Sequence, residues 1–347
     1  MDIFKTITKE TEQNPQWQTL NSHKGFGPAK KLLDEICQPL TDKDGNFVQQ
    51  FQTTGFYQRL WEIFLHSFFV ENTFQVLQKH DRPDFQLLKD KTEIFVEACS
   101  SNPAVNDKFT NEFIDASIKA KDKEAESDLK DYYTIKIGSI LFSKLTKKYW
   151  ELEWVKSKPF VLAVMPSHNK LANFFPDYKV IEYLYGKWFK AAVTEDGKIK
   201  GTSGVVTEHN YGQKKIPSGF FEQPDTENIS AVIFTNTCET QKFNRMGQQD
   251  KYYDEDVIIL RTGSCFNPNL DKPPLEFQYP VAKGKKTETW SEGVSIFHNP
   301  NAKYPLDKAL FKGVRQIWTN KEGQLDGEMP SFYPFHSITG VVVRTDK

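Results

Sequence analysis

Hydrophobic and polar positions along the first half of the chain change period several times, and each change predicts an element. From Gly55 to Asn72, "GFYQRLWEIFLHSFFVEN" is apolar almost all round, which predicts a buried helix. Its exception is a narrow polar stripe. Arg59, Glu62 and His66 fall at spacings of three and four, on one helical face. Three short runs with partial alternation or β-branched content then predict strands: "TFQVLQKH" (73–80), "PDFQLLK" (83–89) and "TEIFVEACS" (92–100). After the polar stretch "NDKFTNEFIDASIKAKDKEAESD", a long helix is expected from about Asp128 to Glu151, with an apolar stripe through Ile137, Ile140, Leu141 and Leu145. "KPFVLAVMPSH" reads as a strand buried on both faces. "PDYKVIEYLYG" reads as a helix ended by Gly186, a natural C-cap. Upstream, "GPAKKLLDEICQPL" predicts one more helix, followed by a "DKDGN" turn.

The resulting order, αβββαβ, implies a mixed sheet covered by helices, in the α/β or α+β class. From about residue 187 strand patterns dominate: "SAVIFTN", "DVIILRTG", "GVSIFHNP" and "SITGVVVR", separated by polar loops with Gly and Pro. No internal repeat or low-complexity linker intervenes, so the second half is expected to extend the first sheet. This gives a helical segment over 1–50, a core over 51–190 and a β-rich extension packed on it over 191–347.

Composition narrows the field. The chain has 347 residues, 38% hydrophobic and 26% charged, with 28 Phe, enough to bury a large core. Its net charge of −1 does not announce a nucleic-acid binder, although a local basic groove would suffice for one. Cys37, Cys99, Cys238 and Cys265 are far apart with no CxxC pair, so free thiols in a reducing cytoplasm are the better reading than disulfides or structural zinc. "MDIFKTITKETEQ" lacks the pattern of a signal peptide, and no apolar run reaches membrane-spanning length.

The chemistry concentrates in a few polar positions. Asp84 opens one strand candidate and Glu97 lies thirteen residues on, so the two carboxylates could converge at one end of a hairpin. Glu62, on the preceding buried helix, could add a third oxygen ligand. A hard cation such as Mg²⁺ or Mn²⁺ favours carboxylates and water, polarises a phosphate and lowers the pKa of bound water. A lysine nearby would orient the water and offset phosphate charge. Lys144 lies at the edge of the long helix's apolar stripe, where it should lean inward along the sheet. Lys148 follows one turn on. The bland alternatives are a turn aspartate, a solvent-facing Glu97 and a Glu62–Arg59 ion pair.

The order αβββαβ, with Glu62 on the first helix and "PD" (83–84) followed by "VEA" (96–98), resembles the PD-(D/E)xK, or restriction-endonuclease-like, nuclease superfamily. The resemblance covers about residues 50–170. It implies Mg²⁺-dependent cleavage of DNA, with Glu62, Asp84 and Glu97 as metal-binding acids. The family's lysine falls on Cys99, a departure. Some branches carry a Lys or Gln on the following helix, and "SKLTKKY" (143–149) is similar to that arrangement, with Lys144 in the role. The resemblance also allows a homodimer, since many such nucleases pair to cut two strands. Over most of its length, through "GNFVQQFQTTGFYQRLWEIFL" and "SAVIFTNTCETQKFNRMG" among others, the chain resembles an uncharacterised bacterial protein family. That likeness implies an accessory role, in defence against foreign DNA.

Other polar clusters lie further on. "TQKFNRMG" offers Lys242, Asn244 and Arg245 on an expected loop, suited to phosphate contacts. His298 and His336 sit near strand ends. Three functions therefore stand: a metal-dependent nuclease, a nucleic-acid-binding or regulatory protein on a nuclease-like scaffold that has lost catalysis, and a hydrolase using His298 or His336.

Overall fold

Among the described residues four α-helices precede the first strand: α1 (Pro15–Ser22), α2 (Gly27–Cys37), α3 (Phe47–Gln52) and α4 (Phe56–Glu71). The computed structural model describes residues 1–42, 45–101, 109–120, 122–166, 174–193, 199–269, 272–285 and 288–344. Positions 43–44 of the expected turn, 106–108 of the polar stretch and 167–168 after the apolar strand lie outside the described residues. Helix α4 buries Phe56, Leu60, Trp61, Ile63, Phe64, Leu65, Phe68 and Phe69, as its all-round apolar pattern requires.

Strands β1 (Gln75–Leu77), β2 (Phe85–Lys89) and β3 (Thr92–Ser100) form an antiparallel meander. The β2–β3 turn is two residues long, and both Asp90 and Lys91 are left-handed, with φ 48° and 67°. Such tight turns match strand twist and fix register. Here the register runs from Lys89↔Thr92 to Phe85↔Val96.

The polar stretch that follows holds a helix of its own, α5 (Asn111–Ala120), before α6 (Lys123–Leu145). Helix α6 starts earlier than the sequence suggested because the Asp122 side chain caps it, accepting from the Ala125 N–H at 3.0 Å. It ends six residues early, at Leu145, and the chain turns sharply at Lys148, which is left-handed at φ 51°. Then come β4 (Phe160–Met165) and α7 (Asp177–Tyr185), closed by Gly186 at φ 64°.

Two hairpins follow, β5 (Lys187–Val193) with β6 (Ile199–Val205) and β7 (Glu208–Tyr211) with β8 (Lys214–Pro217). The remainder is β9 (Ala231–Thr235), α8 (Thr240–Gln248), β10 (Val257–Cys265), β11 (Leu275–Val281), β12 (Val294–His298), β13 (Arg315–Thr319), β14 (Leu325–Glu328) and β15 (Pro334–Val343).

The main sheet has eight strands in the order β1-β2-β3-β4-β9-β12-β13-β14. Strand β4 is parallel to both β3 and β9, while β12 is antiparallel to β9. The second half thus extends the first sheet, and β10, β11 and β15 make a separate three-stranded sheet. Alternation along β4 divides the core in two. Val161, Ala163 and Met165 pack with α4 and the N-terminal helices, whereas Phe160, Leu162 and Val164 pack with α6 and α7. Both faces of the central strands are therefore covered, which explains their uninterrupted apolar sequence. The fold is a mixed α/β architecture around a large mixed sheet. No helix among the described residues is long and apolar enough to cross a membrane.

Candidate active site

Strand β3 carries the site because its two faces meet different helices. Ile94, Val96 and Ala98 enter the core on the α4 side, and Phe95 enters the core on the α6 side. Glu97 and Cys99, in phase with Phe95, accordingly face α6. Asp84 lies one step beyond the last β2–β3 pair, Phe85↔Val96, so the hairpin register brings it alongside Glu97 and Ala98. Its Oδ2 accepts the Ala98 N–H at 2.7 Å.

Lys144 reaches the same point from the last turn of α6. Its Nζ lies 2.6 Å from Glu97 Oε1. A lysine at position 99 would emerge on that same face of β3. Lys144 fills the role by crossing from the covering helix, while Cys99 is buried. Burial works against the Lys144 charge, but Glu97 beside it holds the ammonium above its usual range. Burial also pushes the Cys99 thiol up, so it stays neutral.

Glu62 comes from α4, on the other side of the sheet. It pairs with Arg59 Nη1 at 2.7 Å and accepts from Gln58 Nε2 at 2.9 Å. Gln58 ties helix to strand, since it also donates to the Ala98 carbonyl at 3.3 Å and accepts from Ser100 Oγ at 2.7 Å. The sequence reading missed Gln58. Its place one turn before Glu62 was the available signal.

Mutual repulsion marks the cluster. Burial and then the Asp84 charge raise the Glu62 carboxyl above its ordinary value. Burial and then Glu97 raise Asp84 to about 7, against the Ala98 N–H and Lys144, which pull it down. Asp84 is nevertheless exposed at the rim of the cleft, so water screens part of that effect. Arg59, Glu62, His66 and Asp84 border a cavity of about 160 Å³ on the α4 side. The His66 Nδ1 there is buried without a hydrogen-bond partner, and burial lowers the imidazole pKa.

In chemistry this donor set suits a hard divalent cation: three carboxylates, two of them, Glu62 and Asp84, driven toward protonation by burial and by a neighbouring carboxylate. In geometry it is not gathered into a ligand shell. Among the described residues, no three His, Cys, Asp or Glu side chains are placed to hold a metal ion together. Glu62 is turned toward Arg59 and Gln58, and Glu97 toward Lys144.

The other sequence candidates lie elsewhere. Lys148 does not continue the Lys144 face, and it pairs with Asp225 at 3.2 Å with both side chains about half exposed. Lys242, Asn244 and Arg245 are corrected outright. They lie on α8 rather than on a loop, and all three are buried. Their polar atoms are engaged inside the protein. Lys242 donates to the Glu292 carbonyl at 2.9 Å, Asn244 to the Gly25 carbonyl at 2.8 Å, and Arg245 grips Glu288 in two bonds of 2.8 and 2.9 Å. Arg261 on β10 joins this network through Glu292 at 2.9 Å, clamping the three-stranded sheet to α8. The α8 cations therefore serve an interior network and present no phosphate-binding surface. His298 is buried in β12, 2.9 Å from Gln316 Oε1, and His336 lies in the other sheet, 3.2 Å from Ser264 Oγ.

No protein-family model, curated protein or solved structure matches this chain.

Proposed function

We propose that this protein is a divalent-metal-dependent nuclease that hydrolyses DNA phosphodiester bonds at the cleft between α4, β2–β3 and α6. One observation carries the reading. Glu62 of α4, Asp84 just before β2, Glu97 of β3 and Lys144 of α6 come together at the end of one hairpin, with Lys144 2.6 Å from Glu97 and with Asp84 electrostatically tied to Glu62, Glu97 and Lys144. Three acids drawn from separate parts of the chain to one corner of a sheet remain costly even with Arg59, Gln58, Lys144 and the Ala98 N–H as partners, and perturbed carboxylates of this kind cluster at functional sites.

In this reading Glu62, Asp84 and Glu97 would hold Mg²⁺ or Mn²⁺. The bound ion would supply charge to the phosphate and a more acidic water. Lys144 would position a water beside the phosphate and offset the charge that develops on the phosphate oxygens. Arg59 and Gln58 hold Glu62, and the Ala98 N–H holds Asp84. The strand order, an antiparallel β1–β2–β3 meander with β4 parallel to β3, supports the αβββαβ core that the sequence resemblance implies. A role in bacterial defence rests on the whole-chain resemblance, and a homodimer rests on the nuclease one.

A second reading is a DNA-binding or regulatory scaffold without catalysis. It is favoured by the carboxylates being held by cationic and amide side chains rather than gathered as ligands.

The deciding experiment incubates plasmid, linear and single-stranded DNA, and RNA, with Mg²⁺ or Mn²⁺ against EDTA, alongside Asp84→Ala. Metal-dependent cutting that disappears in the variant is the expected result. Cutting that survives Asp84→Ala, or that proceeds in EDTA, would overturn the assignment. DNA binding with neither cutting nor a metal-dependent heat of binding would select the second reading.

A further inference from the structure

The α4-side cavity, about 160 Å³, is bounded by α4, by β1 and the loop leading into β2, and by residues 40–42 and 46–47. Its walls are of two kinds. Glu62 and Asp84 border it where the proposed site lies, while Phe47, Ile63 and His80 give it ring and aliphatic surface. His66, one helical turn beyond Glu62, also borders it and carries the Nδ1 atom that is buried without a hydrogen-bond partner.

We propose that this cavity receives one unpaired pyrimidine base of the DNA strand, so that the protein acts on single-stranded or locally opened DNA. This inference rests on the nuclease reading and names the substrate class of that site. In a duplex the bases are stacked and paired inside the helix, so a base reaches such a pocket only when it is out of the stack.

Size sets the first limit. A cavity of about 150 Å³ holds one benzene-sized ring. A space of about 160 Å³ therefore takes the single ring of a pyrimidine and is too small to enclose the two rings of a purine.

The walls suit a flat ring. His80 is stacked on Trp154, with centroids 4.4 Å apart and planes 3° apart. Trp154 is in turn fixed by its Nε1 donating to the Arg82 carbonyl at 2.8 Å. The Arg59 guanidinium sits over the Phe47 ring, 4.8 Å from its centre. Both rings are thus held before a ligand arrives, which lowers the cost of binding.

His66 gives the pocket a polar contact. Buried polar atoms nearly always have a partner. Burial lowers the His66 pKa, so the imidazole is neutral near pH 7, and each nitrogen of a neutral ring offers a donor or an acceptor. A pyrimidine edge carries both kinds of group, so a bound base supplies the partner that the protein does not. A base is uncharged and escapes the repulsion that the nearby acids would exert on a phosphate, which stays outside, beside the exposed Asp84.

The test measures fluorescence anisotropy of labelled oligothymidylate, oligodeoxyadenylate and a duplex of the same length, in EDTA and in Ca²⁺. Wild type should bind oligothymidylate about tenfold more tightly than the duplex and about fivefold more tightly than oligodeoxyadenylate. His66→Phe keeps a ring and removes the unpartnered nitrogen. It should weaken oligothymidylate binding about fivefold without lowering the melting temperature, because no hydrogen bond within the protein is lost. His80→Ala removes a ring wall and should weaken it about tenfold. Equal affinity for strand and duplex, purine binding as tight as pyrimidine, wild-type affinity in both variants, or no wild-type affinity in either buffer would overturn the pocket. If the strand preference and its loss in His66→Phe appear but no metal supports cutting, the pocket stands and the nuclease reading falls. If Asp84→Ala abolishes cutting while both pocket variants bind as wild type, the nuclease reading stands and the pocket falls.

Discussion

Replacing Lys144 by methionine tests whether the lysine is bound into the acidic cluster or merely decorates a helix. Glu97 keeps 6% of its side-chain surface and Lys144 29%, so their contact is largely removed from water. Removing one member of a buried pair costs about 3–5 kcal/mol, because the other is left charged and unpaired. The partly wet ammonium lowers that to about 2–3 kcal/mol at neutral pH. Methionine keeps most of the stem's packing, so the loss is electrostatic. In the wild type, Lys144 is held above its usual 10.5. Its stabilisation is therefore fully present below that value and is lost only as pH rises through the higher folded value. Urea denaturation of wild type, Lys144→Met, Glu97→Gln and the double variant at neutral pH makes the measurement. The double variant should recover to within about 1 kcal/mol of wild type, since replacing both charges of a buried pair is often neutral. A loss under about 0.5 kcal/mol in Lys144→Met, the range of ordinary surface changes, would refute the reasoning. So would a double variant as unstable as the two single losses combined. In the cleavage assay the same variant should lose rate with metal affinity unchanged, because the lysine is not a ligand.

Asp84 should make the protein less stable as pH rises. Its folded value, about 7, lies above its ordinary 3.8, so its contribution is full below about pH 4 and is lost as pH climbs through about 7. Asp84→Asn should remove this loss, giving a gain over wild type of about 1–2 kcal/mol above neutrality after allowing for solvent at the exposed rim. Thermal melts across pH would show it, and an unchanged pH profile would contradict it. Cys99→Lys alone should destabilise, because a second ammonium would enter a buried position facing Lys144. Combined with Lys144→Met it should restore both melting temperature and cleavage, since the charge returns to the same face of β3; failure of the swap to recover either would sink the relocated-lysine account. Glu288→Gln should cost about 3–5 kcal/mol, leaving Arg245 and Arg261 buried beside a neutral amide, and calorimetry that finds less than about 1 kcal/mol would contradict the clamp described for α8.

Periodicity alone settled much of the architecture. The sixteen-residue span of α4, the short strands β2 and β3, the doubly buried β4 and the Gly186 cap all follow from local pattern, because burial on one, two or all faces leaves its own spacing in the sequence. So does the nearness of Asp84 to Glu97, since a two-residue turn fixes the register that aligns them. Tertiary structure decided the rest. Whether Lys144 points to solvent or to Glu97 depends on where α6 lies across the sheet, which its edge position in an apolar stripe leaves open. Lys242 and Arg245 look like surface phosphate ligands in sequence, yet their partners Glu288 and Glu292 arrive from more than forty residues away. Local spacing cannot encode such a pairing, because a charge may enter a core only where the fold brings an opposite charge to meet it.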